Sequence, residues 1–181
     1  DKWLKGQHLL SLWEPDAEQE AKNLFEAVIN ELPDFAPAYA SLADIHNVAH
    51  LINVGVARDP VSEGRAADLA RHAVSIDPLN AKAQLALAWS LTMAGQYEQA
   101  ELHFDMATEL NPYDLATLVS SAQGMAFVDR CEVAKLLAQQ ASQITPLLSG
   151  YQHAYLATTR FLCGDFKGCL EASAMAGTAI V

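Results

Sequence analysis

His46 and His50 stand four residues apart, with Asp44 and Asp59 close by in sequence. On a helix that spacing puts both imidazoles on one face, where they could share a zinc ion. A zinc peptidase would need glutamate directly after the first histidine, but the run here is His46-Asn47-Val48-Ala49-His50. A packed or surface histidine pair is therefore expected, and no metal. The other reactive residues are equally poor in pattern. Cys131, Cys163 and Cys169 form an odd, sparse set. They are expected not to be a disulfide framework and to suit a reducing, cytoplasmic compartment. Cys163 and Cys169 are not at zinc-knuckle spacing, and no second pair completes a tetrahedral site. The sequence has no Gly-x-Ser-x-Gly elbow, no phosphate-binding loop and no dinucleotide fingerprint. Neither enzymatic activity nor a cofactor is expected.

Charge narrows the partners. The chain has 181 residues, half of them apolar, and a net charge of −11. No Lys or Arg occurs between Lys82 and Arg130, an interval that holds Glu98, Glu101, Asp105, Glu109, Asp114 and Asp129. Such a surface repels phosphate backbones and anionic lipid, so direct nucleic-acid contact is not expected. Pairs such as Glu98 and Glu101 read as solubilising decoration on exposed helix faces. The longest apolar run, near Val48–Ala57, is too short and too polar to span a bilayer, and no signal peptide is visible. The chain starts at Asp1, without methionine, as an excised fragment would.

What positions these residues is a period. Pro78, Pro112 and Pro146 lie 34 residues apart, twice over. Ala73, Ala107 and Ala141 each precede a proline by five positions, and Ala66, Ala100 and Ala134 by twelve. Ala70, Phe104 and Ala138 fill the column eight before it. Repetition at one fixed spacing signals stacked supersecondary units. Within a unit the spacing is helical. Leu85, Leu87, Ala88, Trp89 and Leu91 make one broad apolar face, and Ala94-Gly95-Gln96 interrupts it with a residue suited to positive φ. A second helix runs from Tyr97 to Leu110, and Asn111-Pro112 stops it. The alanines let two antiparallel helices approach closely, while Tyr97 and Phe104 are expected to fill the wider gaps between units.

The skeleton Leu87-Ala88, Gly95, Tyr97, Ala100, Phe104, Ala107, Pro112 resembles the tetratricopeptide repeat. That resemblance implies an all-α fold, a superhelical solenoid of antiparallel helix pairs. It divides one domain, 1–181, into units of about 2–35, 36–80, 81–114, 115–148 and 150–181. The second unit carries an insertion near 50–60. In the fourth, Asp129 replaces the turn glycine and Cys131 the aromatic; in the fifth, Gly164 and Phe166 open the second helix. A finer resemblance concerns the order WLKGQHLLSLW, EAKNLFEAVINELPDFAPAYASLADIH, the insertion, and ARHAVSIDP. It is similar to the C-terminal repeat region of bacterial HilA-like winged-helix transcriptional regulators. Similar regions also follow the catalytic domain of some bacterial adenylate cyclases.

In the repeat family the first helix of each pair lines a concave groove. Carried over, this implies a groove of Lys82, Leu85, Trp89, Thr92 and Met93. Val119, Gln123 and Phe127 follow from the next unit, then Tyr151, Thr158 and Phe161, with Asp44 and Asn47 from the insertion-bearing unit. Leu85 and Trp89 are apolar where some members carry a clamp for a C-terminal carboxylate, so chaperone tails are not the expected partner. The expected role is a non-catalytic module for a protein or peptide partner, with a peptide or small-molecule sensor as the alternative. A homodimer through an end or through the groove is also expected of a chain that stops at Ala179-Ile180-Val181 without a polar closing helix. The close crossing at Ala100 has a direct test. Ala100→Leu should overpack it and cost about 1–3 kcal/mol; thermal melting no lower than the parent's would remove that role.

Overall fold

The computed structural model describes residues 1–12, 14–52, 57–145 and 147–177; the side chains of 48–52 are left aside. Pro146, Trp13, the Ala179-Ile180-Val181 end and the His50 side chain lie outside these described residues. Ten helices follow one another: α1 (Lys2–Leu10), α2 (Pro15–Glu31), α3 (Ala36–Ile52), α4 (Pro60–Ile76), α5 (Ala81–Met93), α6 (Tyr97–Leu110), α7 (Leu115–Phe127), α8 (Cys131–Ile144), α9 (Gly150–Leu162) and α10 (Phe166–Ala176). No strand occurs among the described residues. The expected α–α solenoid is therefore observed.

Several helices begin for a local reason. Asp59, Asn80, Asp114 and Asp165 accept backbone N–H groups of the first turns of α4, α5, α7 and α10, satisfying donors that the helix itself cannot. Pro15 and Pro60 occupy first helical positions, where a missing N–H is harmless. The turns within units need a left-handed residue. Gly95 supplies it at φ 72° and Gly164 at φ 78°, whereas Asp129 adopts φ 63° with a side chain in place. The insertion of the second unit is partly helix: α3 and α4 have 17 residues each, against 13 and 14 in α5 and α6.

The odd-numbered helices form an inner layer in which α3 packs on α5, α5 on α7 and α7 on α9. The even-numbered helices form the outer layer, and each of α2, α4, α6 and α8 also packs on the inner helix of the next pair. α1 joins the inner layer by polar contacts: the Trp3 indole N–H donates to the Pro37 carbonyl and Ser41 Oγ, and the Gln7 amide donates to Ser41 Oγ. α5 is the spine. It packs on α3, α4, α6 and α7, and every residue from Ala83 to Thr92 is buried. A helix apolar or small on all sides belongs inside a structure, and its sequence reads that way.

The period's columns are the crossings. Ala66, Ala70, Ala73, Ala100, Ala107, Ala134 and Ala141 are fully buried. Phe104 is also fully buried, and its ring seats on Gly124 of the next unit so closely that a Cβ there would lie 2.0 Å from Cζ. Tyr97 differs from expectation. At the first position of α6 it is 52% exposed.

The cysteine expectation is overturned. Cys131 and Cys163 form a disulfide across 32 positions, with Cα atoms 5.4 Å apart. Cys131 opens α8 and Cys163 caps the C-terminus of α9, and the packing of α8 on α9 brings those ends together. Cys169 is the free thiol. Glu101, partly exposed on α6, has one further contact. Its carboxylate accepts a 2.6 Å hydrogen bond from Arg130 Nε, tying α6 to the turn before α8.

Two glycines give a matched test. Gly64, exposed in α4, has no neighbour within 4 Å of a built Cβ. Gly64→Ala should stabilise by about 0.5–1 kcal/mol, and Gly124→Ala should destabilise by about 1–3 kcal/mol through its collision with Phe104. Urea denaturation of both variants checks the pair of signs.

Candidate functional site

Among the described residues, a partly open hollow of about 170 Å³ lies on the inner layer and receives side chains from α1, α3, α5, α7 and α9. Asp44, Ile45 and Asn47 enter from α3, Lys82, Leu85 and Trp89 from α5, Ala116 and Ser120 from α7, and Tyr151 and Tyr155 from α9. Residues four apart on one helix share a face, which is why Leu85 and Trp89, like Tyr151 and Tyr155, arrive together. The end of α1 closes one side with Gln7, Leu10 and the adjoining Ser11.

The walls are fixed by hydrogen bonds that run into the fold. The Trp89 indole N–H donates to Ser120 Oγ at 2.8 Å, and its ring meets Phe104 and Phe127 edge-on. The Asn47 amide donates to the Ala86 carbonyl and to Ser90 Oγ. At the polar end, Lys82 Nζ lies 3.0 Å from Asp44 Oδ2, with side chains 28% and 23% exposed. Burial raises the Asp44 carboxyl above its ordinary value, and Lys82 draws it partly back. Burial likewise raises the phenols of Tyr155, with Asp44 adding to the effect, and of Tyr151, with Asp114 adding to it.

Six of the sequence-expected groove residues thus meet at the cavity: Asp44, Asn47, Lys82, Leu85, Trp89 and Tyr151. The other seven lie elsewhere. Thr92 is buried and returns its hydroxyl to the Ala88 carbonyl; Val119 and Gln123 are buried in α7. Met93 packs against the main core, and its carbonyl accepts from Arg58. Thr158 bonds back to the Ala154 carbonyl. Phe127 and Phe161, 45% and 57% exposed, sit near the C-terminal ends of α7 and α9, beyond the cavity. Sequence reasoning missed Ile45, Ala116, Ser120, Tyr155 and the α1 wall. Tyr155 was readable as the next helical turn after Tyr151. The α1 wall was not, because the first unit lacks most of the repeat's columns.

His46 is not among the residues that line the cavity. His46 Nδ1 lies 2.9 Å from Ser62 Oγ, and burial lowers its basicity, helped by Lys22 and Arg65. Among the described residues, no three His, Cys, Asp or Glu side chains are grouped to hold a metal ion. No described helix is long and apolar enough to cross a membrane.

Comparison with known proteins supports this geometry at the level of the fold. The tetratricopeptide repeat model matches residues 69–102, from the end of α4 into α6. A thermophilic tetratricopeptide repeat protein of Thermus thermophilus is similar in structure, at a TM-score of 0.70 and 19% identity over 97% of this chain and 88% of that one. The Cut9-Hcn1 hetero-tetramer of the APC/C is similar at 0.67 and 15% identity, over 96% of this chain and 31% of that one. YrrB, described as a tetratricopeptide repeat protein with an unusual peptide-binding site, is similar at 0.52 and 15% identity, over 98% of this chain and 84% of that one. No curated protein matches the chain. The fold is a tetratricopeptide-type superhelix.

The Asp44–Lys82 pair yields a test with a defined sign. Folding raises the Asp44 pKa, so between its unfolded and folded values the native state holds the extra proton, and stability falls as pH rises through that window. Lys82→Met removes the compensating cation and widens the window upward. At pH 7 the variant should lose about 1–3 kcal/mol, and the deficit should shrink as pH falls and Asp44 takes up its proton. Urea denaturation at pH 7 and pH 4 measures both; an equal deficit at the two would contradict the assignment.

Proposed function

We propose that this chain is a non-catalytic interaction module that holds a partner segment in the concave groove between α3, α5, α7 and α9. One observation carries the reading. The cavity at the groove's centre has aromatic and aliphatic walls, while its polar groups are largely tied into the fold. A preformed apolar hollow with a few placed polar groups is the usual form of a recognition site. Its size suits one anchoring side chain of an extended peptide, with the rest of the peptide lying along the inner helices. The proteins of similar fold include a tetratricopeptide repeat protein described as having an unusual peptide-binding site and a hetero-tetramer of the APC/C.

The wider setting we propose is regulatory. The order of segments over residues 3–78 is similar to the repeat region that follows a winged-helix domain in bacterial transcriptional regulators. The groove would then report its occupancy to a DNA-binding effector, with an adenylate cyclase as the alternative effector. Either would hold this region in the cytoplasm. The Cys131–Cys163 bond pulls the other way, since cytosolic thiols keep most cysteines reduced.

Ala116 is exposed and lines the cavity, so enlarging it blocks the groove without cutting into the core. Peptides selected from a displayed random library on the parent protein should lose at least about tenfold in affinity for Ala116→Trp, roughly 1.4 kcal/mol. Peptides that bind both proteins equally by calorimetry would place the interaction surface elsewhere.

A further inference from the structure

The cavity's polar end is more specific than a peptide anchor requires. Asp44 and Lys82 face the open space, and together they carry no net charge. Several neighbouring polar groups are engaged within the fold: the Gln7 amide on Ser41, the Asn47 amide on Ala86 and Ser90, and the Trp89 indole on Ser120. Among the residues that line the hollow, Asp44 and Lys82 are the charged ones. A ligand with a single net charge would bring an uncompensated ion into a partly desolvated space whose charges already cancel. A ligand with its own adjacent ammonium and carboxylate would not. Its ammonium can donate to Asp44, its carboxylate can accept from Lys82, and the four charges alternate.

Size sets the remainder of the molecule. The cavity measures about 170 Å³. An engineered apolar cavity of about 150 Å³ in another protein holds benzene. Beyond the ion pair the walls are Ile45, Leu85, Trp89 and Tyr155, which suit one aliphatic or aromatic group. We infer that the cavity binds a free α-amino acid with an apolar side chain, as the zwitterion, its side chain against Leu85 and Trp89 and its head on Asp44 and Lys82. This rests on the groove being the binding face but not on a peptide partner, and it makes the module a sensor of a small metabolite.

Calorimetry on the full chain tests it with L-leucine and L-phenylalanine as probes. One of the two should bind. N-acetylphenylalanine, which lacks the ammonium, and phenylalaninamide, which lacks the carboxylate, should each bind at least about tenfold more weakly. Asp44→Asn and Lys82→Met, checked for native helicity, should show the same loss. Absence of heat with both amino acids overturns the inference, even if library peptides still bind in the groove. Equal binding of phenethylamine and L-phenylalanine overturns it in favour of a simple amine site. Equal binding of an internal phenylalanine in a peptide overturns it in favour of a peptide anchor.

Discussion

Phe104 can reach the next unit because position 124 has no side chain. That single close approach stands for the constraint on the whole molecule: helix pairs stack only where small residues let backbones and rings come together. The fully buried alanines at positions 66, 70, 73, 100, 107, 134 and 141 repeat the device. Gly6 repeats it in the first unit, where a Cβ would lie 2.4 Å from Phe25 Cε1. Interiors at crystal-like density do not absorb an added methyl without moving their neighbours. Enclosure of α5 follows from these contacts, and so does the placement of Leu85 and Trp89 at the groove's centre.

The same constraint explains what could be read from sequence. Small residues at crossings recur with the stacking period, so columns of alanine and proline reveal helix pairs and turns without any contact being known. The inner face is legible where it follows the repeat, as at Leu85, Trp89 and Tyr151. At the C-terminal ends of α7 and α9, Phe127 and Phe161 lie outside the lining of the hollow and stay exposed, with Phe127 edge-on to Trp89. Asp44 and Lys82 could be placed on the groove but not paired, because their contact depends on how α3 packs on α5. The disulfide was illegible for a related reason. Cys131 takes an aromatic's position in one unit and Cys163 ends a helix of the next, and only the packing of α8 on α9 brings them together.

Charge divides between two surfaces. The outside carries most of the acidic excess, and Asp105 shows its local strength: burial raises its carboxyl, and Glu101 and Glu109 raise it further. The inside is nearly neutral where the ligand would lie. Such a division disfavours anionic polymers on the outside, and on the proposed reading it would leave recognition in the groove to shape and to one balanced ion pair. The solenoid supplies the rigidity that this needs, since the walls are side chains of packed helices instead of loops.

Native-state hydrogen exchange tests the central claim, that α5 is the packed spine to which the other units are fastened. The account predicts that the amides from Ala83 to Thr92 exchange more slowly than those of α1 and α10, at a rate set by global unfolding. Exchange of the α5 amides as fast as those of α1 or α10 would contradict it.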